Sequence, residues 1–252
     1  MKIAITGASG FIGKHVMNCF ARKDIELVAV TRQKDLSKNY HNIKIIEHDI
    51  ADLSKNTFKK LGKPDLLVHL AWDGLPNYNS LHHFETELPK QYNFLKLMVE
   101  SGLKSLFVTG TCFEYGMQSG VLAPDAITNP TNSYGLAKDT LRKKLKLLQQ
   151  VKPFNFKWAR LFYMYGEGQA SNSLYSQLRQ AIIKGDETFN MSGGEQVRDY
   201  LPVEKIALKI VELSMNFNNR DCENICSGKP TTVKDLVEGW LEENGWSIKI
   251  NL

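Results

Sequence analysis

The first thirteen residues leave this chain few ways to fold. Lys2 to Thr6, carrying Ile3 and Ile5, reads as a short buried strand, and glycines follow at Gly7, Gly10 and Gly13. From Phe11 to Phe20 apolar residues recur at helical spacing. A strand running into a glycine turn and then a helix is a dinucleotide-binding device. Its glycines allow a tight turn, bring backbone N–H groups close to a pyrophosphate, and let the helix pack on the strand. Gly7, Gly10, Phe11, Ile12 and Gly13 are therefore candidate cofactor contacts. Three glycines alone occur in many turns; their place after an N-terminal strand gives them meaning.

The rest of the first 161 residues repeats the theme. Glu26 to Thr31, Ile43 to Glu47, Asp65 to Ala71 and Lys104 to Thr109 read as further strands. A helical region covers about 80–101, with Leu81, Phe84, Leu88, Tyr92, Leu95 and Val99 on one face. Pro89 either kinks it or begins a second helix. This alternation predicts an α/β fold: a Rossmann-like, doubly wound, mostly parallel sheet with a ligand crevice at its strand ends. A chain of 252 residues can hold one large core, or a main core with a small lobe. We expect 1–161 to be the cofactor-binding domain and 162–252 a small C-terminal substrate lobe interleaved with the sheet.

Several classes are disfavoured. No apolar run is long enough to span a bilayer, and Met1 and Lys2 lead straight into the first strand with no room for a cleavable signal. A cytoplasmic protein without a membrane partner is expected. Cys19, Cys112, Cys222 and Cys226 lack zinc-like pairing, so no metal site and free thiols are expected. The net charge of +5 is modest, and the densest basic run, Arg142 to Lys146, shares its stretch with Leu141, Leu145 and Leu148 at helical spacing. With no interleaved aromatics it reads as a solvated helix face, not a nucleic-acid patch.

Strand ends carry the candidate chemistry. After the second strand stands Thr31-Arg32-Gln33-Lys34, where many NAD-binding proteins place an acid for the ribose hydroxyls. A guanidinium there suits a 2′-phosphate, so Arg32 favours NADP(H) over NAD(H). Small Ala71, after Leu70 at the end of the fourth strand, leaves room for the cofactor. His69 reads as a satisfied core histidine. Trp72 opens a polar–aromatic loop running to Tyr78, either a sugar-pocket wall or a plain connection.

After the fifth strand comes Thr109-Gly110-Thr111-Cys112-Phe113-Glu114-Tyr115-Gly116, and further on Tyr134 and Lys138 lie four apart on one helical face. A free Tyr titrates near about 10 and is a poor acid–base catalyst at neutral pH. A nearby ammonium and the positive charge of oxidised nicotinamide favour its phenolate. A hydroxyl at the strand end then holds the substrate oxygen on which the proton is exchanged.

Thr6 to Gly13, with its Gly-x-x-Gly-x-x-Gly spacing, resembles the short-chain dehydrogenase/reductase superfamily, and the Phe-Ile-Gly ending its extended branch, which acts largely on nucleotide sugars. The likeness runs along most of the chain. It implies Thr111, Tyr134 and Lys138 as the catalytic set, Lys138 also binding the nicotinamide ribose. It implies an adenine contact at Asp49 with backbone help from Ile50; alone, Asp49 also reads as a helix cap near Asp52. Arg160 to Gly166 is similar to the family's Arg-x-x-Asn-x-Tyr-Gly, and the segment around Arg198 to the place where an Arg holds the nucleotide diphosphate. Arg198 and Asn172 are the phosphate candidates, with Trp72, Thr111, Cys112 and Phe113 around the sugar. The family commonly pairs as homodimers through two helices, here 80–101 and 134–150.

Departures narrow the reading. Sugar dehydratases carry Asp-Glu after the catalytic Thr, where this chain has Cys112 and Phe113. Epimerase/reductases resembling fucose synthase place a Cys where Phe113 stands, and the family's Asn is Tyr163. Hydride transfer at a carbonyl survives. The expected function is an NADP(H)-dependent reductase of a nucleotide-linked 4-keto-6-deoxy sugar. An NAD-dependent C4-epimerase and a non-catalytic NADP(H) sensor are the alternatives.

Overall fold

Near-continuous runs of buried side chains set the five inner strands of the central sheet. The computed structural model describes residues 1–32, 43–217 and 220–252. In chain order come β1 (Lys2–Thr6), α1 (Phe11–Phe20), β2 (Glu26–Thr31), β3 (Lys44–Glu47), α2 (Thr57–Lys60) and β4 (Leu66–His69). A π-helical turn (His83–Glu87) runs into α3 (Leu88–Glu100), followed by β5 (Ser105–Thr111), a 3₁₀ turn (Cys112–Tyr115), α4 (Ser133–Val151) and β6 (Asn155–Leu161). The remainder is β7 (Tyr163–Tyr165), α5 (Leu174–Lys184), β8 (Thr188–Asn190), β9 (Val197–Pro202), α6 (Val203–Ser214), β10 (Cys222–Ile225), β11 (Pro230–Thr232), α7 (Val233–Asn244) and β12 (Lys249–Asn251).

Two compact units result, one of residues 1–161 with 207–225, the other of 162–206 with 226–252. The first holds a seven-stranded sheet in the order β10-β6-β5-β4-β1-β2-β3, parallel throughout. The chain winds outward from β1 to β3, then returns to β4 and winds the other way. The switch point, where ligands of such sheets bind, thus lies between β1 and β4. Its core is built on Val28, Leu67, Phe94, Leu106, Leu141 and Trp158, among others. In the second unit β9 pairs antiparallel with β11 and parallel with β7, while β8 pairs with β12. A core of Leu178, Phe189, Val237 and Trp240 fills that unit.

Three local expectations need correction. No helix begins near Asp52: α2 starts at Thr57, and the Asp49 carboxylate instead accepts the Ala51 N–H at 2.9 Å in a turn. The fifth strand does not stop at Thr109 but continues to Thr111, because β6 pairs with it over its whole length. The expected face of 80–101 is wrong at its start. Leu81 and Phe84 are exposed, while His83, Glu87 and Gln91 are buried. A π-turn inserts an extra residue into the helical repeat, so a 3.6-residue pattern drawn back through it points the wrong way. Pro89 falls in the first turn of α3, where its missing N–H breaks no bond.

Among the described residues no helix is long and apolar enough to cross a membrane. The tightest contact in the β1–α1 unit is at Gly13, where an added Cβ would lie 2.1 Å from the Gly7 carbonyl oxygen. Gly13→Ala should therefore lower the unfolding free energy by about 1–3 kcal/mol in urea titrations. Gly193→Ala, with nothing within 4 Å of its added Cβ, should leave it nearly unchanged.

Candidate active site

The end of β5 is fixed by a buried carboxylate. Thr111 caps the 3₁₀ turn: its Oγ1 accepts the Phe113 N–H at 3.3 Å, and Glu114 Oε1 accepts the Thr111 N–H at 2.9 Å. Glu114 is fully buried and also accepts from Trp158 Nε1 at 3.0 Å and from Arg160 Nε at 2.7 Å. Burial pushes its carboxyl up; the Arg160 guanidinium, which keeps its proton, opposes this. Only glycine fits at 110, since an added Cβ would meet Trp158 Nε1 at 2.1 Å and Glu114 Oε1 at 2.3 Å. Arg160 also donates to the Tyr115 hydroxyl at 2.9 Å, and that hydroxyl donates to Asn224 Oδ1 at 2.7 Å.

Asn132 caps α4 through the Gly135 N–H at 2.8 Å and presents Tyr134 and Lys138 one turn apart. Both are buried. Rings surround Tyr134, with centroids at 5.3 Å for His83, 5.7 Å for Tyr78, 5.8 Å for Trp72 and 6.3 Å for Phe113. That burial pushes the phenol well above its ordinary range; Tyr78, Glu114 and Cys112 add to it, and a hydrogen bond with Thr111 opposes it. Lys138 Nζ donates to the Thr109 carbonyl at 2.9 Å and sits 4.1 Å from the centroid of the Trp72 ring. Burial lowers its amine to about 7, against the pull of Glu114 and Glu87. In the free protein, then, the phenol holds its proton and the amine is poised near neutrality.

The glycine loop lies at the switch point. Gly7 has φ +72°, and an added Cβ would stand 2.8 Å from Ala71 N and 2.9 Å from the Leu70 carbonyl carbon. Gly10 is the N-cap of α1 and offers no side chain to its first turn, which contains Phe11, Ile12 and Gly13 and no acid. Helix N–H groups uncapped by a side chain, beside a loop with no room for one, fit a dinucleotide pyrophosphate. His69 is satisfied on both ring nitrogens, by Thr6 Oγ1 at 2.7 Å and Gln91 Oε1 at 2.6 Å, and burial lowers it to about 3.

Other expected contacts lie as follows. Asp49 follows β3 with its carboxylate on the Ala51 N–H, and Ile50 is buried in the core. Arg32 is not a free cation: its Nη1 donates to Asp73 Oδ2 at 3.0 Å. Gln33 and Lys34 fall outside the described residues. Cys112 and Phe113, both half-buried, open the 3₁₀ turn. Asn172 and Arg198 belong to the second unit. Asn172 is exposed, and Arg198 donates to the Val197 carbonyl at 2.8 Å with its guanidinium 5.5 Å from the centroid of the Tyr163 ring. Sequence reading had not singled out His83, Glu114 or Asp73. Glu114 was legible as the closing Glu, three residues after the cap, of a Thr-x-x-Glu capping box; the other two depend on contacts made only in the fold.

A parallel sheet in this order, a glycine loop at its switch point, and a Tyr–Lys helix beside a strand-end Thr define the Rossmann-type class with short-chain dehydrogenase/reductase architecture. Within it, the model of the NAD dependent epimerase/dehydratase family matches residues 3–223, and the chain belongs to that family. It is 30% identical over 252 residues to a dTDP-6-deoxy-L-talose 4-dehydrogenase (NAD(+)) of Aggregatibacter actinomycetemcomitans, covering 99% of this chain and 93% of the relative. A GDP-6-deoxy-D-talose 4-dehydrogenase of the same organism is 27% identical, with 94% and 78% covered. The fold is also that of a UDP-glucuronic acid 4-epimerase from Bacillus cereus solved with NAD. That match has a TM-score of 0.83 and 21% identity, and covers all of this chain and 85% of the other.

Lys138 yields a stability prediction. With its amine lowered from 10.5 to about 7, the folded chain binds fewer protons than the unfolded one between those values. The penalty for burying Lys138 therefore grows as pH falls through that window. Lys138→Met should gain stability relative to the unmodified protein as pH is lowered from about 10 to about 7, followed by urea unfolding.

Proposed function

We propose that this protein is a nicotinamide-dependent oxidoreductase acting at C4 of a nucleotide-linked 6-deoxy sugar, working as a 4-ketoreductase. The convergence of the Thr111 hydroxyl, the Tyr134 phenol and the Lys138 amine carries the reading. The glycine cradle at Gly7, Gly10 and Gly13, with Lys138, would hold a reduced nicotinamide cofactor, which would supply the hydride for C4 and leave oxidised. Tyr134 gives its proton to the sugar oxygen, Thr111 orients that oxygen, and Lys138 steadies the phenolate left behind. Cys112 and Phe113 stand where a dehydratase needs Asp and Glu, which supports simple carbonyl reduction over elimination. The two talose 4-dehydrogenases support both the carbon and the sugar class. The exposed Leu136 and Leu147 of α4 support pairing as a homodimer through that helix.

Two cofactor readings meet in one ion pair. Arg32 alone supports NADP(H). Asp73, 3.0 Å from it, supplies a carboxylate beside the end of β2 and supports NAD(H), as does the similarity to an NAD(+)-named talose 4-dehydrogenase. We take NAD(H) for the unaltered chain, with NADP(H) favoured once Asp73 is neutralised. Asp73→Asn should move the ratio of NADPH to NADH affinities toward NADPH by about fivefold, the scale of an exposed pair, in fluorescence titrations. Tyr134→Phe should lower turnover of a 4-keto nucleotide sugar by about a hundredfold or more while cofactor binding persists. No oxidation of either reduced cofactor with any such sugar would overturn the proposal.

A further inference from the structure

We propose that His83 is a positioning residue for the reaction, fixing the Trp72 indole as a platform on which the Lys138 ammonium rests. The inference rests on the reading of Lys138 as the charged partner of Tyr134. His83 is fully buried on the π-helical turn. Its Nδ1 accepts the Trp72 indole N–H at 3.1 Å, and its Nε2 donates to the Asn77 carbonyl at 2.9 Å. This pairing specifies the tautomer with the proton on Nε2. The indole N–H is thereby engaged within the protein, so Trp72 presents a ring face to the site and not a donor.

That face is used. Lys138 Nζ lies 4.1 Å from the centroid of the indole, within cation–π range, and donates to the Thr109 carbonyl at 2.9 Å. Around the amine stand Glu114 beyond β5, Glu87 on the π-helical turn, His69 on β4 and Tyr134 on its own helix. The two carboxylates act on it through space while they are held elsewhere, Glu114 by Arg160 and Glu87 by Lys90 and Gln91. A buried ammonium with no carboxylate in contact readily loses its proton. An electron-rich ring against it offsets part of that tendency, provided the ring cannot turn away. His83 prevents the turn. The π-turn brings this about, since its extra residue carries His83 and Glu87 inward where a regular helix would carry Leu81 and Phe84.

The test is the ionisation of Lys138 in the cofactor-free protein. ¹³C-labelled lysine gives its resonance, assigned by its loss in Lys138→Met, and a pH titration gives its midpoint. Trp72→Leu and His83→Leu should each lower the midpoint by about one unit, tenfold in proton affinity. Trp72→Phe, which keeps a ring, and His83→Asn, which keeps an acceptor for the indole, should hold it within about half that shift. A second measurement needs no disruptive variant. The Trp72 indole N–H resonance of the unmodified protein should move with the Lys138 midpoint, and should stop doing so in Lys138→Met. An indole resonance indifferent to Lys138, or an unmoved midpoint in both leucine variants, overturns the platform. Lack of turnover on nucleotide sugars would overturn the proposed reaction while leaving these titrations to stand or fall by themselves.

Discussion

Burying one primary amine is the constraint around which the first unit of this protein is arranged. Lys138 has almost no exposure, and an ammonium out of water must find compensation or give up its proton. The chain meets this with a strand carbonyl, an indole face and two carboxylates kept at a distance. None is a direct ion pair, and that is chemically apt. A carboxylate in contact would hold the lysine fully charged and would compete for it with any sugar hydroxyl of a cofactor. The compromise leaves the amine near the point where a neighbouring charge decides its state.

Two further networks make that compromise possible. Below Thr111, Glu114 collects N–H donors from the Thr111 backbone, Trp158 and Arg160, so the strand end cannot shift without breaking bonds to a buried charge. On the other side, Thr6, His69, Gln91 and Glu87 form a continuous polar chain that ends on the Asp73 N–H at 3.2 Å. It ties the last residue of β1, where the glycine loop begins, to the loop that carries Trp72. The glycine cradle and the loop that carries Trp72 are thus joined through buried hydrogen bonds, and satisfied buried networks hold geometry well.

Legibility in the sequence followed the range of the forces involved. Strand, glycine turn and α1 are local, and Gly7, Gly10 and Gly13 could be read directly because each avoids a clash with atoms close in sequence or on the adjoining strand. The parallel sheet followed from alternation alone. The Tyr134–Lys138 spacing was visible because α4 is regular and well capped. What escaped notice involved a break in period or a long-range partner. The π-turn put His83 inside where helical phase put Leu81 and Phe84. Arg32 looked unpartnered because Asp73 lies forty-one residues away. Thr111 looked like a loop residue because pairing along the whole of β6, not local propensity, keeps that end of β5 extended.

The state of Tyr134 bears on direction. Ringed by His83, Tyr78, Trp72 and Phe113, the phenol is held in its protonated form by burial, which suits the proton-donor role proposed for it. The oxidising direction of the proposed reaction would require the same site to take that proton back, and the protein alone offers little to favour the phenolate. Lys138, only partly charged near neutral pH, is a weak counter-ion by itself. An oxidised nicotinamide held beside Lys138 would supply the positive charge that favours the phenolate. With such a ligand in place its redox state would choose between the acid and base forms, and the rings that bury the phenol would strengthen that electrostatic choice.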